Sequence, residues 1–276
     1  MGYQVKLMKT KDVKIYARSK QKNDYNDALA IAKAARDPEL KTVRFKTKAE
    51  QDIRLLHNTR QNTIRDRIQK TNSLMSSLCE YGYVTQLSKS QFSRECAHEV
   101  EKAYQEKFLN RQAYALLMAE CQEIKGLCEK EKLIDKLIIE SNKQSSKAIK
   151  LQKIIGIGPI NASCLSYAPM ENYPTHRDFA ASLGLVPKQH TSGDTVVLGG
   201  ITKQGDRYIR TMLVQAGRSI VIRAKKAKDP TDRLTIWAQM KLAEGKPFNL
   251  LCVAVANKLA RIAYTLVMND TEYKPA

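Results

Sequence analysis

Between about Lys48 and Cys79 the apolar residues Ile53, Leu56, Ile64, Ile68, Met75 and Leu78 recur at steps of three, four, seven or eight. That is the period of a helix with one apolar stripe, and it predicts a long amphipathic helix. After a turn at "EYGYVTQLSKS" the pattern resumes from about Arg94 to Glu140, carrying Tyr104, Phe108, Leu117, Cys121, Ile124, Cys128, Leu133 and Leu137. Two long, polar-backed helices joined by a turn fit an antiparallel coiled-coil arm, and equally a pair of ordinary bundle helices. An arm would separate domains or join copies of the chain, and it carries no chemistry. A chain built around such segments is expected to be mainly α.

The flanking segments read differently. Residues 1–47 open on "YQVKLM", a possible strand, and continue into a helix from Asp24 with Ala28, Ile31, Ala32 and Ala35 on one face, broken at "RDPEL". "SNKQSSK", 141–147, is the best linker, and beyond it glycine and proline become frequent. Three parts follow: 1–47, a helical region 48–147, and a C-terminal domain 148–276. The last segment, "NLLCVAVANKLARIAYTLVM", is apolar nearly all round and reads as a core or interface helix.

Charge narrows the partner. Against 28 acidic residues stand 47 basic ones, a net charge of +19 spread along all 276 residues. Such a field calls for a polyanion, with nucleic acid ahead of an anionic membrane. No apolar run is expected to reach the length of a spanning helix, and the N-terminus is too charged for a signal peptide. Six scattered cysteines without a CxxC pair argue against structural zinc and for a reducing cytoplasm.

The specific signals lie in four places. In "LQKIIGIGPINASCLSY", Gly156 and Gly158 separate two helical segments, with Pro159 where the second should begin. The pattern fits a helix-hairpin-helix, whose free N–H groups bind a backbone phosphate, and it fits a plain glycine turn as well. From Ile201 to Lys226 there are seven basic residues and one acidic. Arg207, Arg210, Arg218 and Lys225 share one helical face, opposite Tyr208, Met212, Leu213 and Ile220, and Lys203 precedes them. A face with so little acid suits phosphates better than solvent alone. Asp24 and Asp27, at i and i+3, could hold Mg²⁺, though their spacing alone favours an N-terminal cap. Ser192, before Gly193, is a turn residue or a nucleophile near Lys188, His190, Lys203 and Arg207, and local chemistry favours the turn.

"IIGIGPINASCLSYA" followed by "FAASLGLVPKQHTSGDTVVLGGITKQGDRYIRTMLVQAGRSIVIRA" resembles the C-terminal domain of the DEDD-type insertion-sequence transposases, most nearly the one-ten family and its eleven-eleven group. The upstream "QKNDYNDALAIAKAA" and the long helix ending in "CEYG" extend the resemblance through nearly the whole chain. It implies an N-terminal RNase-H or resolvase-like α/β domain whose acidic residues bind divalent metal. The family's K-x-D-x-x-D-A motif falls on Lys22, Asp24, Asp27 and Ala28. It implies that Ser192 attacks a DNA phosphodiester, giving a 5′-phosphoserine link and a free 3′-hydroxyl. It further implies DNA partners at the element ends and target, an element-encoded guide RNA, and a composite site shared between protomers of a homo-oligomer.

One departure shapes the expectation. The family's first aspartate and its glutamate lie on strands upstream of this match, whereas here only "YQVKLM" precedes Asp24, and Asp12 and Glu39 match nothing. Two carboxylates are too few for a two-metal site. The expected architecture is therefore a truncated resolvase-like remnant, a helical arm, and a helical domain with a helix-hairpin-helix and a short β-hairpin. The expected function is a transposase acting through Ser192. The alternatives are an inactive remnant that still binds nucleic acid and a helix-hairpin-helix scaffold protein.

Overall fold

The computed structural model describes residues 5–17, 23–40, 42–192 and 195–275, with the backbone only at Ser192 and Thr195. Lys22 of the aspartate motif, Tyr3 and Gln4 of the expected first strand, and Gly193 of the Ser-Gly turn lie outside the described residues. The chain forms two compact units, Met1–Gln51 and Asp52–Ala276.

The first unit holds α1 (Thr10–Val13), a 3-10 turn at Lys14–Tyr16, and α2 (Asp24–Arg36). The strand expected over "YQVKLM" is reduced to one antiparallel bridge, in which Val43 N–H donates to the Leu7 carbonyl at 2.7 Å. Among the described residues the unit is otherwise helix and turn. Its small core is made by Ala30 and Ala34 on α2, while Ile15, Tyr25 and Ile31 stay exposed.

The second unit contains nearly all of α3 (Lys48–Glu80), then α4 (Lys89–Gln105) and α5 (Arg111–Asn142). Ion pairs run from α3 to α5 in falling order of position, so the helices are antiparallel. Arg60 meets Asp135 at 2.5 Å, Arg67 meets Glu131 at 2.9 Å, and Lys70 meets Glu120 and Glu123 at 3.1 and 2.5 Å. The single helix expected from Arg94 to Glu140 is instead two. Lys107 takes a left-handed backbone at φ 65°, Phe108 N–H reaches the Ala103 carbonyl, and Lys107 N–H reaches that of Tyr104. This is a Schellman stop, and Asn110 then caps α5 by accepting from Ala113 N–H. The break lets α4 fold back, so that Phe92, Cys96, Val100 and Ala103 pack between Leu74 and Leu78 of α3 and Leu117, Cys121 and Ile124 of α5.

The buried face of α3 also differs from expectation. His57, Thr63, Thr71, Leu74 and Leu78 are buried, whereas Ile53, Leu56 and Ile64 are half-buried and Ile68 is exposed. Leu74 and Leu78 join an apolar cluster with Leu117, Cys121 and Ile124 of α5, whereas around Arg60, Arg67 and Lys70 the facing side chains of α5 are carboxylates.

The remainder comprises α6 (Ser146–Gln152), α7 (Pro159–Ser166), α8 (His176–Ser182), β1 (Pro187–Ser192), β2 (Thr195–Ile201), α9 (Arg207–Lys226), α10 (Arg233–Ala243) and α11 (Phe248–Met268). Its core is organised on α11, which buries Leu251, Val255, Ala256, Leu259, Ala260 and Ala263 against α6, α8, α9 and α10. Contrary to the expectation that no run reaches spanning length, α11 is long and apolar enough, with a mean hydropathy of 1.6. Half of that stretch is buried in protein, and Asn257, Lys258 and Arg261 interrupt it. Small residues on α9 allow the closest helix approach. A Cβ at Gly217 would lie 2.4 Å from the Cys252 carbonyl oxygen and 3.1 Å from Ala256 N.

Both neighbours of Gly217 are backbone, so they yield only if the helices part. Gly217→Ala is therefore expected to cost about 1–3 kcal/mol by overpacking. Gly126→Ala, in open space on α5, is expected to be neutral or stabilising by up to about 1 kcal/mol. Urea unfolding of the two variants checks this.

Candidate nucleic-acid interface

The antiparallel hairpin pairs Ser192 with Thr195, His190 with Val197, Gln189 with Leu198 and Pro187 with Ile201. Two steps on β1 thus match three on β2, a bulge that Gly199 and Gly200 accommodate. Outside its base the hairpin is uncovered: Val196, Val197 and Leu198 are 58%, 54% and 62% exposed.

The base is fixed by close backbone packing. Gly184 (φ 69°) and Gly205 (φ 70°) lie on the connections into and out of the hairpin, each packed on backbone next to the other. A Cβ on Gly184 would strike Gln204 N at 2.4 Å, and one on Gly205 would strike the Ser182 carbonyl at 1.8 Å. Only glycine fits such positions at positive φ. Thr202 N–H donates to the Val186 carbonyl and Lys203 N–H to that of Gly184. Arg210 Nη1 donates to the carbonyls of Leu183 at 2.9 Å and Gln204 at 2.6 Å. Asp206 caps α9 by accepting from the N–H groups of Tyr208 and Ile209.

These contacts sort the cations named from sequence. Lys203, Arg207 and Arg210 gather at the hairpin base, but Arg210 is spent on two backbone carbonyls. Lys203, itself at φ 56°, and Arg207 are exposed. Further along α9, Arg218 and Lys225 lie over the Phe248 ring, 5.9 and 4.8 Å from its centroid. Arg207, Arg218 and Lys225 make no ion pair among the described residues. Arg223, by contrast, is paired to Asp232 at 2.5 Å.

The two glycines of the α6–α7 connection have different surroundings. Gly156, at φ 85°, is packed on α9, where a Cβ would meet Ile220 Cδ1 at 2.5 Å. Gly158 is exposed at the N-cap of α7, with Pro159 at the first helical position.

Sequence reasoning missed a buried polar knot that ties the α3 end of the arm to this domain. The His57 ring hydrogen-bonds to Tyr208 Oη through Nδ1 and to Ser163 Oγ through Nε2, each at 3.0 Å. Burial, with Arg60 nearby, holds its pKa down at about 4. His57 falls within the apolar stripe, four residues after Ile53 and seven before Ile64, and that position was the available signal.

In the first unit Asp24 and Asp27 are both exposed in the first turn of α2. The cap itself is Asn23, whose side chain accepts from Asn26 N–H at 2.7 Å. The two carboxylates complement the helix dipole, and the capping role that spacing suggested for them belongs to their neighbour.

Residues 148–231 match a family model described as the transposase IS116/IS110/IS902 family. Residues 1–82 match a transposase model named for the DEDD enzymes of IS110. The probable family 20 transposase of Pseudomonas aeruginosa is 31% identical over 277 residues, covering 100% of this chain and 80% of its own.

The chain belongs to the IS110 family of insertion-sequence transposases.

Two further relatives agree. The transposase for insertion sequence element IS1328 of Yersinia enterocolitica is 32% identical, over 99% of this chain and 79% of its own. That for IS1111A of Coxiella burnetii is 31% identical, over 99% and 74%. The DEDD family implies a divalent metal. Among the described residues of this transposase, no three of His, Cys, Asp and Glu come together as a metal requires. A pair of exposed aspartates does not fit a two-metal centre, and no step is drawn through one.

The buried histidine has a pH consequence. Unfolded, His57 binds a proton near pH 6.5; folded, it does so only near pH 4. The unfolded state thus holds more protons between those values, and stability falls as pH drops through that window. Urea unfolding should show a loss reaching about 3 kcal/mol by pH 4 that is absent from His57→Gln.

Proposed function

We propose that this transposase cuts and joins DNA strands with Ser192 as nucleophile, residues 148–276 forming the strand-exchange domain. The observation that carries the reading is the root of the hairpin. The strand ending at Ser192 is bound through Gly184, Gly205 and Arg210 to the start of α9, whose Arg207, Arg218 and Lys225 make no ion pair among the described residues. A phosphate held along α9 would neutralise Arg207, Arg218 and Lys225, and Lys203 would add charge at the hairpin base. In the cleavage step Ser192 Oγ bonds to phosphorus and gives its proton to a base. The bond from phosphorus to the 3′-oxygen breaks, and that oxygen takes up a proton. The 5′-phosphoserine ester keeps the phosphoester bond energy, so a second 3′-hydroxyl can reverse the step on a new strand.

Gly158 and the α7 start would position a backbone phosphate in the manner of a helix-hairpin-helix, with Gly156 serving to seat the turn on α9. Asp24 and Asp27 correspond to the family's metal-binding aspartates, and the pair would hold Mg²⁺ only where further carboxylates join it. A guide RNA and a homo-oligomer belong to the same reading. Copies would meet through the arm, where Leu55, Leu116, Leu133 and Leu137 are exposed.

Two experiments test this. Incubated with element-end DNA, the transposase should form an adduct that survives denaturation. Ser192→Ala should form none while binding DNA within about twofold, a difference of some 0.4 kcal/mol. A phosphoserine adduct in that variant would overturn the assignment. Separately, Arg207→Gln, Arg218→Gln and Lys225→Gln should each weaken DNA binding irrespective of sequence and lower the salt slope by about 1. Arg210→Gln should instead cost about 1.5–3 kcal/mol of stability.

A further inference from the structure

One pocket of the second unit is lined by no residue of the hairpin or of α9. Of about 620 Å³, it lies among the start of α8, the outer faces of α10 and α11, and the C-terminal segment from Thr271 to Pro275. Arg233 N–H donates to the Pro275 carbonyl at 3.1 Å and holds the segment there. An ion pair between Lys153 and Glu272 at 2.5 Å holds it from the other end.

The walls are cationic. Arg233, Lys258, Arg261 and Lys274 all line the pocket, with His176 and Trp237 between them. The carboxylate in the wall, Glu272, is already engaged by Lys153, and neighbouring Asp232 is engaged by Arg223. Lys258 Nζ sits 4.3 Å from the centroid of the Trp237 ring. Burial and the charges of Arg261 and Lys241 push the Lys258 pKa down, the mark of an ammonium held among like charges. Arg261 Nη2 donates to His176 Nε2 at 3.0 Å, since a guanidinium has no lone pair to offer. The Nε–H of the same Arg261 is buried with no acceptor among the described residues. A buried cationic donor left without an acceptor is costly, and native structures rarely keep one without a use.

The geometry points to a binding site for a phosphate group carried on a nucleotide. Converging guanidinium and ammonium groups match an anion of more than one charge, with arginine supplying planar paired donors. The volume exceeds what a bare phosphate fills and suits a nucleotide, with Trp237 and Tyr273 in the walls to meet an apolar ring. The phosphate belongs either to a free nucleotide or to a nucleic-acid strand, and the chemistry of recognition is shared.

Trp237 is the single tryptophan of the chain, so intrinsic fluorescence of the full-length protein reads this pocket directly. The probes are inorganic phosphate, a nucleoside 5′-monophosphate, and a short single-stranded oligonucleotide with and without a 5′-phosphate. A saturable change is expected with the monophosphate, at least tenfold tighter than with inorganic phosphate. A response to the oligonucleotide only when it is 5′-phosphorylated assigns the site to strand ends. An equal response to both forms assigns it to internal phosphates, and a response to the monophosphate alone assigns it to a free nucleotide. Lys258→Gln and Arg261→Gln should each weaken binding about tenfold or more, the worth of one charge-assisted bond. Arg233→Gln and Lys274→Gln, at exposed positions, should weaken it severalfold without touching the core. No saturable response to any probe overturns the proposal, as do unaltered affinities in the exposed variants. The response does not depend on Ser192, so failure of the strand-cleavage reading would leave it intact.

Discussion

Backbone lies against backbone where α9 crosses α11, and the second unit is arranged around that crossing. With no side chain at Gly217, the Cys252 carbonyl comes closer than any other residue would permit. That proximity brings Ile209, Leu213, Ile220 and Val221 of α9 into the core formed with Val255, Leu259 and Ala260 of α11. With its apolar side spent in this way, α9 is left with a solvent face, and that face carries the arginines and lysines. The same crossing leaves the outer side of α11 to α8 and α10, where Lys258 and Arg261 emerge. Two cationic regions on different sides of the domain therefore follow from one tight packing contact.

The +19 charge of the chain is distributed by use. Along the arm, three cations are consumed internally: Arg60, Arg67 and Lys70 of α3 each meet a carboxylate of α5. Arg210 and Arg223 are likewise consumed in holding the domain together. Among the described residues Arg207, Arg218 and Lys225 of α9 and Lys258 and Arg261 of α11 meet no carboxylate, and neither do Arg54, Lys125, Lys132 and Lys136 of the helical region. Net charge alone could not separate these groups, because a cation that braces a fold and one that awaits a phosphate are the same residue type.

The helical character, the long α3, the arginine-rich helix and the hairpin around Ser192 could all be read from periodicity and turn residues. Two helix ends show where reading stops. α3 ends in a Schellman turn at Gly82, with Tyr83 N–H on the Leu78 carbonyl, and the glycine announces it. α4 ends in the same turn at Lys107, and a lysine at positive φ announces nothing, so one long helix was expected where there are two. The buried side of α3 was only partly legible for a related reason: the polar His57, Thr63 and Thr71 turn inward beside Leu74 and Leu78. At the candidate site, Gly184 packs on Lys203 and Gln204 and Gly205 on Ser182 and Leu183, contacts some twenty positions apart with no local signature. The pocket around Trp237 draws on four separated segments, which no spacing rule connects. Ser192 itself stood out only through its resemblance to a family, since a serine before glycine is an ordinary turn.

The rooted hairpin has a mechanical consequence. From Pro187 to Ser192 the strand is five steps long, roughly 17 Å at the usual rise of an extended chain. Its side surfaces carry Val196, Val197 and Leu198 in the open, so along most of that length nothing in the described protein braces it. Its fixation is at the base, in the packing of Gly184 and Gly205, the backbone bonds of Thr202 and Lys203, Asn257 Nδ2 on the Leu185 carbonyl, and the Arg210 bonds. It is a cantilever, clamped at one end and loaded at the other. A tilt of about 10° at the clamp would carry the Ser192 backbone about 3 Å at the tip, using the extended rise above. In the proposed reaction, that is the difference between a hydroxyl in line with phosphorus and one out of reach. Whatever grips the start of α9 thereby also aims the far end of the strand.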